Sequence, residues 1–214
     1  MTLIIKLDSK EIKYLSTKDE KIKKVVDFID DFEIDDGGRD YEGGERYFIS
    51  LFRSIIGQQI SMKAANSIWN KIVNHFKIIS PEIIYKSSDE TLRSLGLSRN
   101  KVIYSKDLCN KILSKDIILD DIDKKSDDEI REHLIKVKGI GIWTVDMFLI
   151  FTLFRQDVFP VEDLGLWNAF GMFYFDDKKV KKDELIKISL KWKPYRTFGT
   201  LIMWEGYNKV LSGK

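Results

Sequence analysis

From about Asp19 onward, apolar residues return every three or four positions, and this spacing predicts a chain that is helical over most of its length. Ser16 and Thr17, followed by Asp19 and Glu20, supply N-cap chemistry for a helix running through Phe32, after which the acidic, glycine-bearing segment Asp35 to Gly44 reads as a loop. Phe48, Leu51, Phe52, Ile55 and Ile56 mark one buried face. The pattern breaks at Gly57 and resumes with Ile60, Ala64, Ile68 and Trp69, which predicts a pair of helices within Tyr47 to Phe76 that meet at Gly57-Gln58-Gln59. Short helices follow from Ser80-Pro81 and over Ser88 to Leu95, with Gly96 placed to end the second. Ser98 caps a helix from Arg99 to about Leu113, and Ser126 with Glu129 forms a capping box for one ending near Val137. Gly139 and Gly141 turn the chain into a helix over Trp143 to Phe154. Further helices are predicted over Asp163 to Phe173, Lys182 to Trp192 and from Pro194 to near Val210. Pro81, Pro160 and Pro194 all fall where helices start or stop. Strand character is confined to Leu3 to Leu7, and a lone strand is marginal unless it pairs. The fold is expected to be mostly α.

Length and composition narrow the picture without deciding it. A chain of 214 residues buries a substantial core as one domain or as two intimately packed lobes. Charged residues make up 33% and nearly cancel at +2, so any polyanion must be met by a local patch. Asp and Glu crowd Asp27 to Glu45 and Asp116 to Glu132; the hairpin carries Lys136 and Lys138 just before its glycines, and Lys191, Lys193 and Arg196 form a second basic group. Such runs are usually solvated faces and only permit nucleic-acid binding. Cys109 is the single cysteine, which excludes an intrachain disulfide and a four-thiolate iron–sulfur cluster within one chain. The opening MTLIIKLD is too short for a secretory apolar region, and no later segment reaches membrane-spanning length without charge, so a soluble cytosolic protein is expected. His75 and His133 offer no zinc spacing.

Candidate chemistry concentrates in LIKVKGIGIWTVDMFLIFTLFRQDVFPVED, Leu134 to Asp163. Gly139-Ile140-Gly141 is not the start of a dinucleotide fingerprint, because Thr144 holds the third glycine position and a helix leads in. It is either an ordinary helix–helix turn or a turn whose backbone amides hold a phosphate. Asp146, Glu162 and Asp163 are the candidate acids that follow, and the last reads on spacing alone as the N-cap of the next helix.

The blocks FISLFRSIIGQQISMKAA, LGLSRNKVIYSKDL, LIKVKGIGIWTVDMFLIFTLFRQDVFPVEDLGL and YRTFGTLIMWEGY, in this order, resemble the helix-hairpin-helix DNA glycosylase superfamily. The branch they resemble is that of the type II 3-methyladenine glycosylases, and the resemblance runs from about Leu15 to the C-terminus. Too few residues precede Ser16 for the N-terminal β-domain of some relatives. The resemblance implies an all-α fold of two packed helical lobes with an active-site cleft between them, about 47–155 forming the central lobe with the hairpin and 15–46 with 156–214 the other. It further implies that Asp163 is the catalytic aspartate, since DVFPVEDLGL matches the family's segment. Trp143, Met147 and Trp204 fall at base-pocket positions, Met147 where some relatives have tyrosine. Gln59 falls at the position of the side chain that enters the vacated base stack. Lys138, Gly139, Gly141 and Thr144 are the hairpin contacts to DNA, and the carbonyls of Val137 and Ile140 are candidates to hold Na+ or K+. Bifunctional relatives carry a lysine where Trp143 stands, so a monofunctional enzyme without lyase activity is implied.

The implied activity is hydrolytic excision of alkylated purines such as 3-methyladenine from double-stranded DNA by a monomer with no obligatory cofactor. Two other readings stay open: a non-catalytic DNA-binding hairpin module, and a glycosylase for mismatched, deaminated or oxidised bases. The second would need hydrogen-bonding groups to read a neutral base, where the matched positions offer Trp143, Met147 and Trp204.

Overall fold

The computed structural model describes residues 2–35, 43–176 and 180–213. Its helices are α1 (Lys10–Lys18), α2 (Glu20–Val26), α3 (Gly43–Gly57), α4 (Met62–Phe76), α5 (Pro81–Lys86), α6 (Asp89–Ser94), α7 (Arg99–Leu113), α8 (Asp127–Leu134), α9 (Ile142–Phe151), α10 (Leu164–Tyr174), α11 (Lys182–Ser189) and α12 (Arg196–Leu211). The fold is all-α apart from a small antiparallel pair, β1 (Thr2–Ile5) with β2 (Phe32–Asp35), in which Thr2 faces Asp35 and Ile5 faces Phe32. Short helices leave many first-turn amides without partners, and polar caps answer them one by one: Ser9, Asp19, Ser61, Ser80, Ser88, Ser98, Ser126 and Asp163 each accept from an amide of the helix they precede.

The helix expected through Phe32 is corrected. Ser16 and Thr17 lie inside α1, which is capped by Ser9, and Asp19 starts a separate α2 that ends at Val26. Phe32 belongs to β2, so the strand at the N-terminus does not stand alone. The predicted loop from Asp35 to Gly44 lies largely outside the described residues, and α3 already begins at Gly43. The predicted pair within Tyr47 to Phe76 is found as α3 and α4, and α7 spans Arg99–Leu113 as its pattern requires. The helix after the glycine turn ends at Phe151 rather than Phe154, whose backbone takes φ 53° and so cannot continue it. The helix from Lys182 passes into a 3-10 turn at Leu190–Trp192, and the last helix starts at Arg196.

The described residues gather into two compact units, the first drawn from Gly37–Phe148 and the second from Thr2–Asp36 and Leu149–Lys214. In the first, α3 packs on α4 and α7, and α7 on α5 and α6. Its core holds Phe48 stacked on Phe52, Phe52 against Trp69, and the buried Ile55, Val102, Leu108, Leu134 and Val137. In the second, α12 packs on α10, α2 and α1 around Ile12, Leu15, Ile22, Phe170, Trp192 and Met203. No helix among the described residues is long and apolar enough to cross a membrane.

Asp19 links elements far apart in the second unit. Its Oδ1 caps α2 through the Lys21 and Ile22 amides, while Oδ2 accepts the indole N–H of the fully buried Trp192 at 3.0 Å. Removing the carboxylate orphans a cap and a buried donor together, so Asp19→Ala is expected to cost about 2–4 kcal/mol in urea unfolding. Asp19→Asn keeps one acceptor oxygen and is expected to lose less.

Candidate functional site

Asp163 is built into place before any chemistry is asked of it. The segment leading to it is pinned by the first turn of α12: the Arg196 guanidinium pairs with the Asp157 carboxylate at 2.8 and 2.9 Å, and the Thr197 hydroxyl donates to the Arg155 carbonyl while accepting the Val158 amide. The indole of Trp167 then donates to the Val161 carbonyl at 2.6 Å, and the Asp163 amide donates to the carbonyl of Pro160. The half-buried Asp163 carboxylate caps α10, its Oδ1 accepting the Leu166 amide at 2.6 Å and the Trp204 indole N–H at 2.8 Å. Trp204 is held in turn by stacking on Phe151, with centroids 6.1 Å apart. Gly165 supplies the room, since a Cβ there would lie 3.1 Å from Asp163 Oδ1 and 3.6 Å from the Trp204 nitrogen.

The competing acids are otherwise employed. Asp146 is 2% exposed and accepts two hydrogen bonds from Arg131, at 3.0 and 2.9 Å, which ties α9 to α8. Glu162 is exposed and pairs with Lys182. Arg196, which the sequence grouped with Lys191 and Lys193 as a basic patch, spends its charge on Asp157, so that patch is smaller than expected.

In the first unit the turn between α8 and α9 is fastened from one side by α7. Asp107 accepts the Lys138 amide at 2.8 Å and both approaches of the Lys111 ammonium at 2.9 Å. Burial alone would raise the Asp107 carboxyl, but the hydrogen bonds from Lys111 and from the Lys138 amide outweigh it and hold it below the usual carboxylate range. The Lys138 amide is therefore committed, while its side chain lies on an exposed residue. The Val137 carbonyl accepts the Ile140 amide at 3.1 Å, and the Gly139 carbonyl accepts Gln58 Nε2 at 2.7 Å. Among the described residues, no hydrogen bond uses the amides of Gly139 and Gly141. Thr144 is 4% exposed, so the first turn of α9 rather than its hydroxyl is what it can present. Trp143 is 42% exposed and Met147 half-buried. Gln59 is exposed, with φ 60°, between α3 and α4.

A model of the HhH-GPD superfamily of base excision DNA repair proteins matches residues 52–194, which run from within α3 to just before α12 and contain both the glycine turn and Asp163. The chain belongs to this superfamily. It is 32% identical over 207 residues to DNA-3-methyladenine glycosylase 1 of Schizosaccharomyces pombe, covering 95% of this chain and 89% of that protein. The HhH-GPD fold also relates it to the crystal structure of a DNA-3-methyladenine glycosidase from Bacillus halodurans, at TM-score 0.82 and 29% identity over 98% of this chain and 94% of that one. A Schizosaccharomyces pombe 3-methyladenine DNA glycosylase in complex with abasic DNA aligns at TM-score 0.78 and 30% identity, covering 92% and 95% of the two chains. The structural likeness thus reaches beyond the expected start at Leu15 and takes in α1.

Sequence reasoning did not find the roles of Gln58, Asp107 or Lys101. The signal for Lys101 was present, because it shares a helix face with Ser105, Leu108 and Cys109, all buried. The partners of Gln58 and Asp107 lie across the fold and left no local trace.

The two turn glycines differ in what the fold asks of them. Gly139 has φ 80°, and a Cβ there would overlap the Tyr104 ring, whereas a Cβ on Gly141 meets nothing within 4 Å. Gly139→Ala is therefore expected to destabilise by about 2–4 kcal/mol, and Gly141→Ala to stay within about 0.5 kcal/mol of the parent, as read from urea unfolding midpoints.

Proposed function

We propose that this protein is a monofunctional DNA glycosylase that turns an alkylated purine such as 3-methyladenine out of double-stranded DNA and hydrolyses its N-glycosidic bond. The observation that carries the reading is the held carboxylate: Asp163 Oδ1 is fixed by a helix amide and an indole N–H, in the family segment that follows the glycine turn. Cleaving an N-glycosidic bond develops oxocarbenium character on the sugar, and a carboxylate already fixed in direction stabilises that charge without reorganising. The same group can also orient or deprotonate the attacking water. An alkylated purine carries positive charge before it leaves, so it is a good leaving group and an attractive partner for an aromatic face. Trp204, through its ring, and the exposed indole of Trp143 are the faces proposed for it, with Met147 as an adaptable apolar contact.

Binding is assigned to other atoms. The amides of Gly139 and Gly141, which no acceptor among the described residues uses, are proposed to hold a phosphate, with Lys138 adding charge from its side chain. Gln59, exposed on the turn between α3 and α4, is the side chain proposed to enter the vacated stack. The carbonyls of Val137 and Ile140 fit a Na+ or K+ ion as weak oxygen donors, since the bond to the Ile140 amide uses one lone pair of Val137 and leaves the other. Position 143 is tryptophan, so no amine stands there to form a Schiff base with the sugar. The product would be an intact strand with an abasic site, and the protein would act as a monomer wherever the cell keeps its DNA.

Asp163→Asn tests the assignment cleanly, because asparagine also caps helices and keeps an oxygen for the Leu166 amide and the Trp204 indole. Folding and duplex affinity are expected to persist, while single-turnover release of 3-methyladenine falls by about 10²–10³-fold or more. Release at the parent rate would remove Asp163 from the chemistry. With the parent protein, borohydride is expected to trap no covalent complex on lesion DNA; a strong adduct would place a lysine in lyase chemistry.

A further inference from the structure

The turn that carries Gln59 and the turn that carries Gly139 and Gly141 are fastened to each other and to one helix. Gln58 Nε2 donates to the Gly139 carbonyl at 2.7 Å, across 81 positions of sequence. A carbonyl accepts and cannot donate, so the amide of Gln58 must present its nitrogen, and its orientation is fixed. From α7, the Lys101 ammonium donates to the Ile56 carbonyl at 2.7 Å, on the last turn of α3 just before Gln58. Lys101 is 9% exposed, and burial lowers its ammonium below the usual lysine range, so this contact occupies an otherwise costly group. One turn along α7, Tyr104 lies where a Cβ on Gly139 would be, and beyond it Asp107 holds the Lys138 amide. A single face of α7 thus grips the end of α3 and the glycine turn, and Gln58 closes the triangle directly between them.

We propose that Gln58 is a positioning residue: it does not contact DNA but ties the Gln59 turn to the phosphate-holding turn, so that gripping the backbone fixes where Gln59 stands. The proposal rests on the reading of the protein as a glycosylase for its catalytic consequence, but the tie itself is a property of the folded chain. Gln59 has φ 60° on an exposed turn, a conformation that costs a non-glycine residue and needs neighbours to hold it. Lys101, through the Ile56 carbonyl, and Gln58, through the Gly139 carbonyl, hold the chain that leads directly into it.

The test uses the full chain, duplexes with 3-methyladenine beside 2-aminopurine, and amide hydrogen exchange on the free protein. In Gln58→Leu, exchange of the hydrogen-bonded Lys138 and Ile140 amides of the glycine turn is expected to speed about tenfold with the unfolding midpoint little changed, as the loss of one hydrogen bond implies. Affinity for undamaged duplex is expected to hold, while the 2-aminopurine signal of the turned-out state and the excision rate kcat fall about tenfold at similar KM. In Gln59→Ala, adding Gln58→Leu is expected to change little, because nothing is left to position. Gln58→Glu sets a carboxylate against the Gly139 carbonyl, so its rate relative to the parent is expected to recover as pH falls below about 5, where the protonated acid donates again.

Additive losses in the double variant, or a loss of undamaged-duplex affinity in Gln58→Leu alone, would make Gln58 a DNA contact and overturn the proposal. Unchanged exchange in Gln58→Leu would overturn it equally. If the parent releases no base from any duplex, the glycosylase reading fails, and the exchange result still decides whether the tie exists.

Discussion

Unsatisfied amides at the starts of short helices are the constraint on which this fold turns. A helix of six to sixteen residues exposes a first turn that is a large part of its length, and each buried N–H left without a partner costs about as much as a lost hydrogen bond. The chain meets the cost with serine and aspartate oxygens at helix after helix, from Ser9 to Asp163. Where the cap is aspartate, the second oxygen does further work. Asp19 Oδ2 reaches the indole of Trp192 and so joins α2 to the region before α12.

Asp163 follows the same rule and departs from it in one respect. Its Oδ1 serves helix α10 and the Trp204 indole together, and two donors on one oxygen take up part of the negative charge that a sugar cation would draw on. That competition is a real cost to electrostatic catalysis. What is gained in return is direction, because a carboxylate with one oxygen fixed by a helix end and an aromatic ring has little rotational freedom left to lose. Gly165 is consistent with this account: a side chain there would crowd Oδ1 and come into contact with the indole. One carboxylate can both cap a helix and face a reacting sugar, so the cap reading and the catalytic reading of Asp163 do not exclude each other.

Local signals carried well where the physics is local. Ser98 before Arg99, and Ser126 three residues before Glu129, announce helices whose starts match because a cap and its first turn are neighbours in sequence. The failure at Phe32 has the opposite cause. Val25 and Ile29 continue a helical spacing past Val26, but β2 forms because β1, some thirty residues earlier, offers it backbone partners, and pairing of that range leaves no mark in a local window. The end of α9 was hidden for another reason: Thr152, Leu153 and Phe154 include neither glycine nor proline, and the turn is made by a positive φ at a phenylalanine. At the candidate site, Asp163 and the glycine turn were legible as motif positions, whereas Gln58, Lys101 and Asp107 act through partners distant in the chain.

The two glycines of the turn sharpen the line between what folding and what binding require. Gly139 is accounted for within the chain, by its positive φ and by the Tyr104 ring that fills the place of a side chain. Gly141 is not: its φ is unremarkable, open space surrounds its missing Cβ, and the fold would accept alanine there. A glycine costs conformational entropy, so one that the fold does not need points to something that approaches the backbone from outside. At the entry to a helix, beside an amide that no acceptor in the described residues occupies, an anion is the partner that such an approach would suit.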